Sequence, residues 1–168
     1  MTTLYLVRHG QTTDNVAQIM QGQRQGQLTP EGESQIGILA DNLANVRFDA
    51  FVSSDLRRAI DSCSIIARRH DMEVLTTPLL RERDWGDFTG RYIPDLKGLD
   101  FPDNVEKIDD MLHRAEDFLL WISDNYPYQT VLAMGHGIIN KAIQAVYHHK
   151  PISSIPRMLN AEYRILNL

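Results

Sequence analysis

A single cysteine, Cys63, rules out any intrachain disulfide, and the simpler setting for such a chain is a reducing, cytoplasmic one. No apolar run approaches the roughly 20 residues that a bilayer-spanning helix needs. The N-terminus has no basic segment leading into an apolar stretch, so neither a membrane anchor nor a secretion signal is expected. Positive charge is in deficit as well: 17 Lys and Arg stand against 22 Asp and Glu. That balance argues against a general binder of nucleic acid or of membrane surfaces. It still permits an anionic substrate, because a local arginine cluster can outweigh a diffuse negative surface. Metal signatures are missing too. The chain has no His-Glu-x-x-His, no paired cysteines and no EF-hand loop, so no metal site is expected. His70, His113 and the pair His148-His149 read as surface groups. There are no repeats, and the glutamine-rich stretch Gln18 to Gln27 reads as a loop.

What is present is an alternation of strands and helices. At 168 residues the chain is expected to form one domain, residues 1–168, burying roughly 70% of the surface its unfolded form exposes. Leu4 to Val7 reads as a buried strand. Thr29-Pro30 opens a helix, threonine as cap and proline at the first helical position, with Ile36, Leu39, Ala40, Leu43 and Val46 at helical spacing. Phe51 to Ser53 is a short strand, followed by a helix carrying Leu56, Ala59, Ile60, Cys63, Ile66 and Ala67 on one face. Glu73 to Thr77 is a third strand, and Arg81 to Asn104 an irregular stretch. Asp103 and Glu106 have capping-box spacing and are expected to open a helix that turns Val105, Ile108, Met111, Leu112, Ala115, Leu119 and Ile122 inward. Val131 to Met134 is a strand, Ile138 to Tyr147 a buried helix, and Tyr163 to Leu166 closes the sheet. This pattern predicts an α/β fold with a mainly parallel sheet.

Two strands end on histidine. Leu4-Tyr5-Leu6-Val7 runs into Arg8-His9-Gly10, and Val131-Leu132-Ala133-Met134 into Gly135-His136-Gly137. Open α/β sheets bind ligands beyond the carboxyl ends of their strands, so parallel strands bring both histidines to one edge. Ser54 to Arg58 and Glu82 arrive there from the second and third strands, and helix N-termini with free N–H groups favour anions at the same place. Such a set suits phosphoryl chemistry. His9 can attack phosphorus with one ring nitrogen if the other is held as a donor, for instance by a backbone carbonyl. Gly10 leaves the main chain open to phosphate. Arg8, with Arg57 or Arg58, can bind phosphate oxygens through the guanidinium fork; both later arginines lie off the apolar helix face, so periodicity does not choose between them. His136, protonated, adds charge where the transition state spreads it. Glu82 is the candidate acid for the leaving oxygen and base for water.

The motifs resemble those of the histidine phosphatase superfamily, specifically its phosphoglycerate mutase-like branch. Leu4 to Thr12 with Asn15 is similar to the family signature. Gly22, Leu28-Thr29-Pro30-Glu31-Gly32 and Gln35 match its next block. In Ser53-Ser54-Asp55-Leu56-Arg57-Arg58-Ala59 the functional arginine directly precedes alanine, which selects Arg58. Leu80 to Gly90 resembles the acid-bearing segment, and Met134 to Gly137 the second histidine motif. The resemblance implies a three-layer α/β/α sandwich and a phosphohistidine at His9. It also implies a phosphate pocket of Arg8, Arg58 and His136, Glu82 as proton donor, and minor contacts from Asn15 and the backbone near Gly22. The partner it implies is a small phosphorylated metabolite, and it implies no cofactor or metal.

The chain departs from the family pattern in three places. The loop Arg24-Gln25-Gly26-Gln27 has no acidic residue, Ile36 replaces a small residue, and Arg91 to Asn104 is short. A mutase must shield its phosphohistidine from water with a closing lid, and little chain is available for one, so hydrolysis of phosphomonoesters is expected. Arg83 points the other way, since in mutases of the family an arginine beside the acid helps hold substrate. Mutase-type transfer and a catalytically silent phospho-ligand binder are the alternatives.

Overall fold

In the computed structural model, which describes residues 1–168, five strands form one sheet: Thr3–Arg8 (β1), Ala50–Ser54 (β2), Val74–Thr77 (β3), Thr130–Gly135 (β4) and Tyr163–Asn167 (β5). Their order is β3-β2-β4-β1-β5. All neighbours are parallel except β5, which runs antiparallel along β1. The helices are Thr13–Ala17 (α1), Pro30–Asn42 (α2), Arg57–Ala67 (α3), Ile108–Asn125 (α4) and Gly137–His148 (α5).

Successive residues of a strand face opposite sides, and the central strands are apolar on both. Leu4, Leu6, Val52, Val131 and Ala133 pack with Met111, Ala115, Phe118 and Ile122 of α4 and Ile139, Ala142 and Ile143 of α5. Val7, Phe51, Leu132 and Met134 pack on the other side with Ile36 and Leu39 of α2 and Ala59, Cys63 and Ile66 of α3. The result is the expected three-layer α/β/α sandwich. No helix is long and apolar enough to cross a membrane.

Local signals account for most boundaries. The Thr29 side chain accepts from the Gly32 N–H, and Pro30 takes the first helical position of α2. The capping box expected at Asp103 and Glu106 does not form. α4 starts at Ile108 with no side-chain cap, because the Glu106 carboxylate is bonded to Arg114 and to the Asp84 N–H. The inward face of α4 carries Phe118, with Leu119 only half-buried. His70 also departs from expectation. It is half-buried, its ring lying edge-on to Phe48 at 5.3 Å and tilted against Phe51 at 5.4 Å.

Candidate active site

β1 and β4 are adjacent, with Arg8 opposite Gly135. His9 and His136 therefore leave the sheet side by side, and their ring centroids lie 5.1 Å apart. After β1 the chain passes to α2 on one face; after β4 it passes to α5 on the other. The strand ends part there, forming the kind of switch point at which open sheets bind ligands. A cavity of about 340 Å³ opens at this point, its wall including Arg8, His9, Asn15, Gly22, Arg58 and Glu82. His136 is fully buried beside His9, and its Nδ1 has no partner in the chain.

The loop carrying His9 is braced by close backbone contact. A Cβ on Gly10 would lie 2.5 Å from the Gly32 carbonyl oxygen, and one on Gly32 would lie 2.1 Å from that of Gln11. Gly10 is thus required by the approach of α2, which corrects the expectation that it clears a path for phosphate. Gln35 accepts from the Gln11 N–H at 3.0 Å, and the Thr29 hydroxyl donates to the Gln11 side chain at 2.9 Å. His9 Nδ1 lies 2.7 Å from the Gly10 carbonyl oxygen. A carbonyl only accepts, so Nδ1 carries the proton and Nε2 keeps its lone pair.

Arg8 and Arg58 are both buried. Their Nη groups donate to backbone: Arg8 to Met158 O at 2.7 Å, Arg58 to Gly22 O at 2.7 Å and to Arg24 O. Each Nε is buried with no partner in the chain. Burial is the main cause that lowers both guanidinium pKa values, that of Arg58 to about 10, so both stay charged at neutral pH. Arg57 is exposed and pairs with Asp61. A Cβ on Gly26 would come within 2.9 Å of Arg58 Cδ, so the Arg24–Gln27 loop holds Arg58 with its backbone.

Glu82 lies over the start of α5. Its carboxylate accepts from the N–H groups of Ile138 at 3.0 Å, Ile139 at 3.1 Å and Arg83 at 2.9 Å. The helix N-terminus expected to face the substrate is therefore occupied by the Glu82 carboxylate. Arg83 is not brought into the cavity. Its guanidinium stacks instead on Trp85 at 4.5 Å and Phe101 at 5.3 Å. Its Nε donates to Glu106 O at 2.8 Å. Arg114 completes this bracket: it donates to Leu79 O and Arg81 O and pairs with Glu106.

Some features of the site were not read from the sequence: helix α1, the bond Ser54 makes, and three further wall residues. α1 is one turn and a half, capped by Thr12 and Asn15, too short for periodicity to register. The capping bonds fix Asn15 at the cavity. Ser54 Oγ lies 2.8 Å from His136 Nε2; its place at the end of β2 was the available signal. Trp85, Lys141 and Arg157 also line the cavity, and no spacing pattern marks them.

Burial, then the charge of Arg58, pushes both imidazoles well below the ordinary histidine range; Arg8 adds to this in both, and His9 itself adds to it in His136. His136 is accordingly neutral in the folded chain until an anion offsets the guanidiniums. The unfolded chain takes up these two protons near pH 6.5, and the folded chain does not. Stability therefore falls as pH drops through that value, by about 1.4 kcal/mol per pH unit for each group. Urea midpoints measured between about pH 7.5 and about pH 5.5 should drop, and inorganic phosphate should flatten the slope. A flat profile without phosphate would contradict this assignment.

The fold and the paired strand-end histidines define a phosphoryl-transfer enzyme of the histidine phosphatase class. The chain belongs to the histidine phosphatase superfamily (branch 1), whose sequence model matches residues 4–168. A metal-independent phosphoserine phosphatase of Arabidopsis thaliana is 31% identical, covering 100% of this chain and 77% of that protein. Among solved structures, Bacillus stearothermophilus YhfR superposes with a TM-score of 0.94 at 28% identity, covering 100% of this chain and 92% of the other. A mycobacterial glucosyl-3-phosphoglycerate phosphatase, solved in complex with VO3, gives 0.89 at 28% identity, covering 98% and 92%.

Proposed function

We propose that the chain hydrolyses small phosphomonoesters, in the cytoplasm, through a phosphohistidine on His9. The observation that carries this reading is the bond between His9 Nδ1 and the Gly10 carbonyl, at a cavity that also holds two unpaired guanidiniums and a carboxylate. His9 Nε2 attacks phosphorus as the ester P–O bond breaks. Glu82 gives its proton to the departing oxygen, so the alcohol leaves neutral. Arg8, Arg58 and a His136 protonated in the presence of the dianion stabilise charge on the equatorial oxygens. Glu82 then takes a proton from water, whose oxygen attacks phosphorus. The P–N bond breaks, inorganic phosphate leaves, and His9 is restored. Asn15 and the Gly22 backbone sit where minor phosphate contacts can form. With Arg83 stacked on Trp85 and Phe101, the arginine that favoured mutase-type transfer is spent on structure, and hydrolysis is preferred. A silent binder would not need a nucleophile and an acid at one cavity.

Turnover of p-nitrophenyl phosphate, inhibited by vanadate, tests the reading; folded protein inert towards a panel of phosphomonoesters would overturn it. The same reading assigns unequal weights to neighbouring arginines. Arg58→Ala should weaken inorganic phosphate binding by at least about tenfold, the scale of a charge-assisted hydrogen bond. Arg57→Ala should change it less than about twofold, as an exposed ion pair contributes little. Calorimetric titration showing the reverse ranking would mean that Arg58 is structural only.

A further inference from the structure

The two ring nitrogens of His136 have different surroundings. Nε2 lies 2.8 Å from Ser54 Oγ. Nδ1 is buried with no partner in the chain, a condition it shares with Arg8 Nε and Arg58 Nε. Buried polar groups are nearly always hydrogen-bonded, so these nitrogens are open to a ligand. The His136 ring stands 5.1 Å from that of His9, and the charges of Arg58 and Arg8 act on it. With Nε2 engaged by Ser54, Nδ1 is the ring nitrogen left to meet a phosphoryl group on His9.

The proton count at Ser54 decides which nitrogen carries hydrogen. Ser54 ends β2 and is fully buried. A hydroxyl has one proton and two lone pairs. One lone pair accepts from the Leu56 N–H at 3.2 Å, while the Ser53 hydroxyl donates to the Ser54 carbonyl instead. The chain offers the Ser54 proton one acceptor, His136 Nε2. A buried hydroxyl proton without an acceptor is costly, so the O–H donates to Nε2. The neutral ring then carries its own proton on Nδ1. His9 is also an Nδ1–H tautomer, but there the Gly10 carbonyl takes the N–H and Nε2 is left as nucleophile. At His136 the serine takes Nε2, and the N–H is left as a donor. One ring thus offers a lone pair to phosphorus, and the other a proton to its oxygens. When the bound dianion draws a second proton onto His136, Nε2 receives it and the second lone pair of Ser54 accepts from it. The hydroxyl proton then loses its acceptor, which holds the ring neutral until the dianion is present.

We infer that Ser54 is a positioning residue for phosphoryl transfer: its hydroxyl donates to His136 Nε2, fixes the proton of the neutral ring on Nδ1 and so presents that N–H to the phosphoryl oxygens. This rests on the phosphatase reading above. The tautomer is read directly by NMR of protein labelled with ¹⁵N-histidine, at neutral pH and without ligand. The His136 ring is assigned by its absence from the spectrum of His136→Asn. In the wild type Nδ1 should be protonated and Nε2 bare, and inorganic phosphate should shift the Nδ1 resonance. Ser54→Ala should mix the two tautomers. It should also lower kcat on p-nitrophenyl phosphate by at least about tenfold, with KM changed by less than about threefold, as when a transition-state donor is misaimed. A free wild type with its proton on Nε2 would overturn the inference. So would a folded Ser54→Ala protein with an unchanged tautomer or an unchanged kcat. If that variant does not fold, the wild-type spectrum decides alone. The spectrum needs no turnover, which keeps the two readings apart. Proton on Nε2 in an active enzyme removes only the role of Ser54, whereas a wild type inert towards every ester removes the phosphatase reading.

Discussion

Replacing His9 with alanine should reduce phosphatase turnover by at least about a thousandfold, the scale expected when a covalent nucleophile is removed. The reason is local. His9 is the imidazole at the cavity wall, and its Nδ1 is committed to the Gly10 carbonyl. His136 should not substitute, because it is fully buried and its Nε2 is engaged with Ser54 Oγ. The fold should survive, since the loop is braced by Gly32 and Gln35 and not by the ring. Alanine leaves the Gly10 carbonyl without its donor, at a cost of about 1–3 kcal/mol. It also removes a buried group that resists protonation, so the variant should lose less stability in mild acid than the wild type. Appreciable retained turnover in folded His9→Ala protein would refute the nucleophile assignment.

Glu82→Gln should separate the two steps of the reaction. Glutamine keeps one oxygen, in the place of Oε1, which accepts from both the Ile138 and Ile139 N–H groups, so the start of α5 and the 79–84 segment should hold their positions. It cannot supply or accept the catalytic proton. An alkyl ester needs that proton to expel its oxygen, and its single-turnover rate should fall by about a hundredfold to ten-thousandfold. An aryl ester expels a better leaving group, and its phosphorylation step should fall by less than about tenfold. Hydrolysis of the phosphoenzyme still needs a base, so p-nitrophenyl phosphate should show a burst followed by slow release. Equal losses on both esters, with no burst, would count against the acid–base role.

The sheet edge was legible in the sequence because apolar runs stop abruptly on Arg8-His9 and on Gly135-His136. A strand pattern fixes where a side chain leaves a sheet, and parallel order then brings neighbours together. Arg58 was harder. It lies off the apolar face of α3, and periodicity reads such a position as solvent. It is buried because the Gly22 to Gln25 loop folds over it with its carbonyls. Burial by a loop leaves no periodic trace, so only the likeness to a family motif chose it over Arg57. Arg83 shows the opposite error. Adjacency to Glu82 suggested a shared site, but Trp85 with Phe101 offers the Arg83 guanidinium a better surface. The misplaced start of α4 has a related cause, since Glu106 had a stronger partner in Arg114 than in a helix cap. Lys141 and Arg157 approach the cavity from α5 and from the segment before β5, and no motif connects them.

The cavity's charge pattern also reconciles a net negative chain with an anionic substrate. The formal charge is −5, yet the wall is strongly cationic. That local field steers anions and disfavours a protonated His9. An anion that enters then raises the proton affinity of His136, so binding and the charge needed for transfer are coupled.

The covalent intermediate is the most direct point of attack. The protein should be mixed briefly with a ³²P-labelled phosphomonoester, quenched in alkali, digested and mapped. Label that survives alkali, is lost in acid and resides on the peptide containing His9 is the predicted result, with Glu82→Gln accumulating more of it than the wild type. Turnover with no trapped label, or label on another residue, would contradict the account.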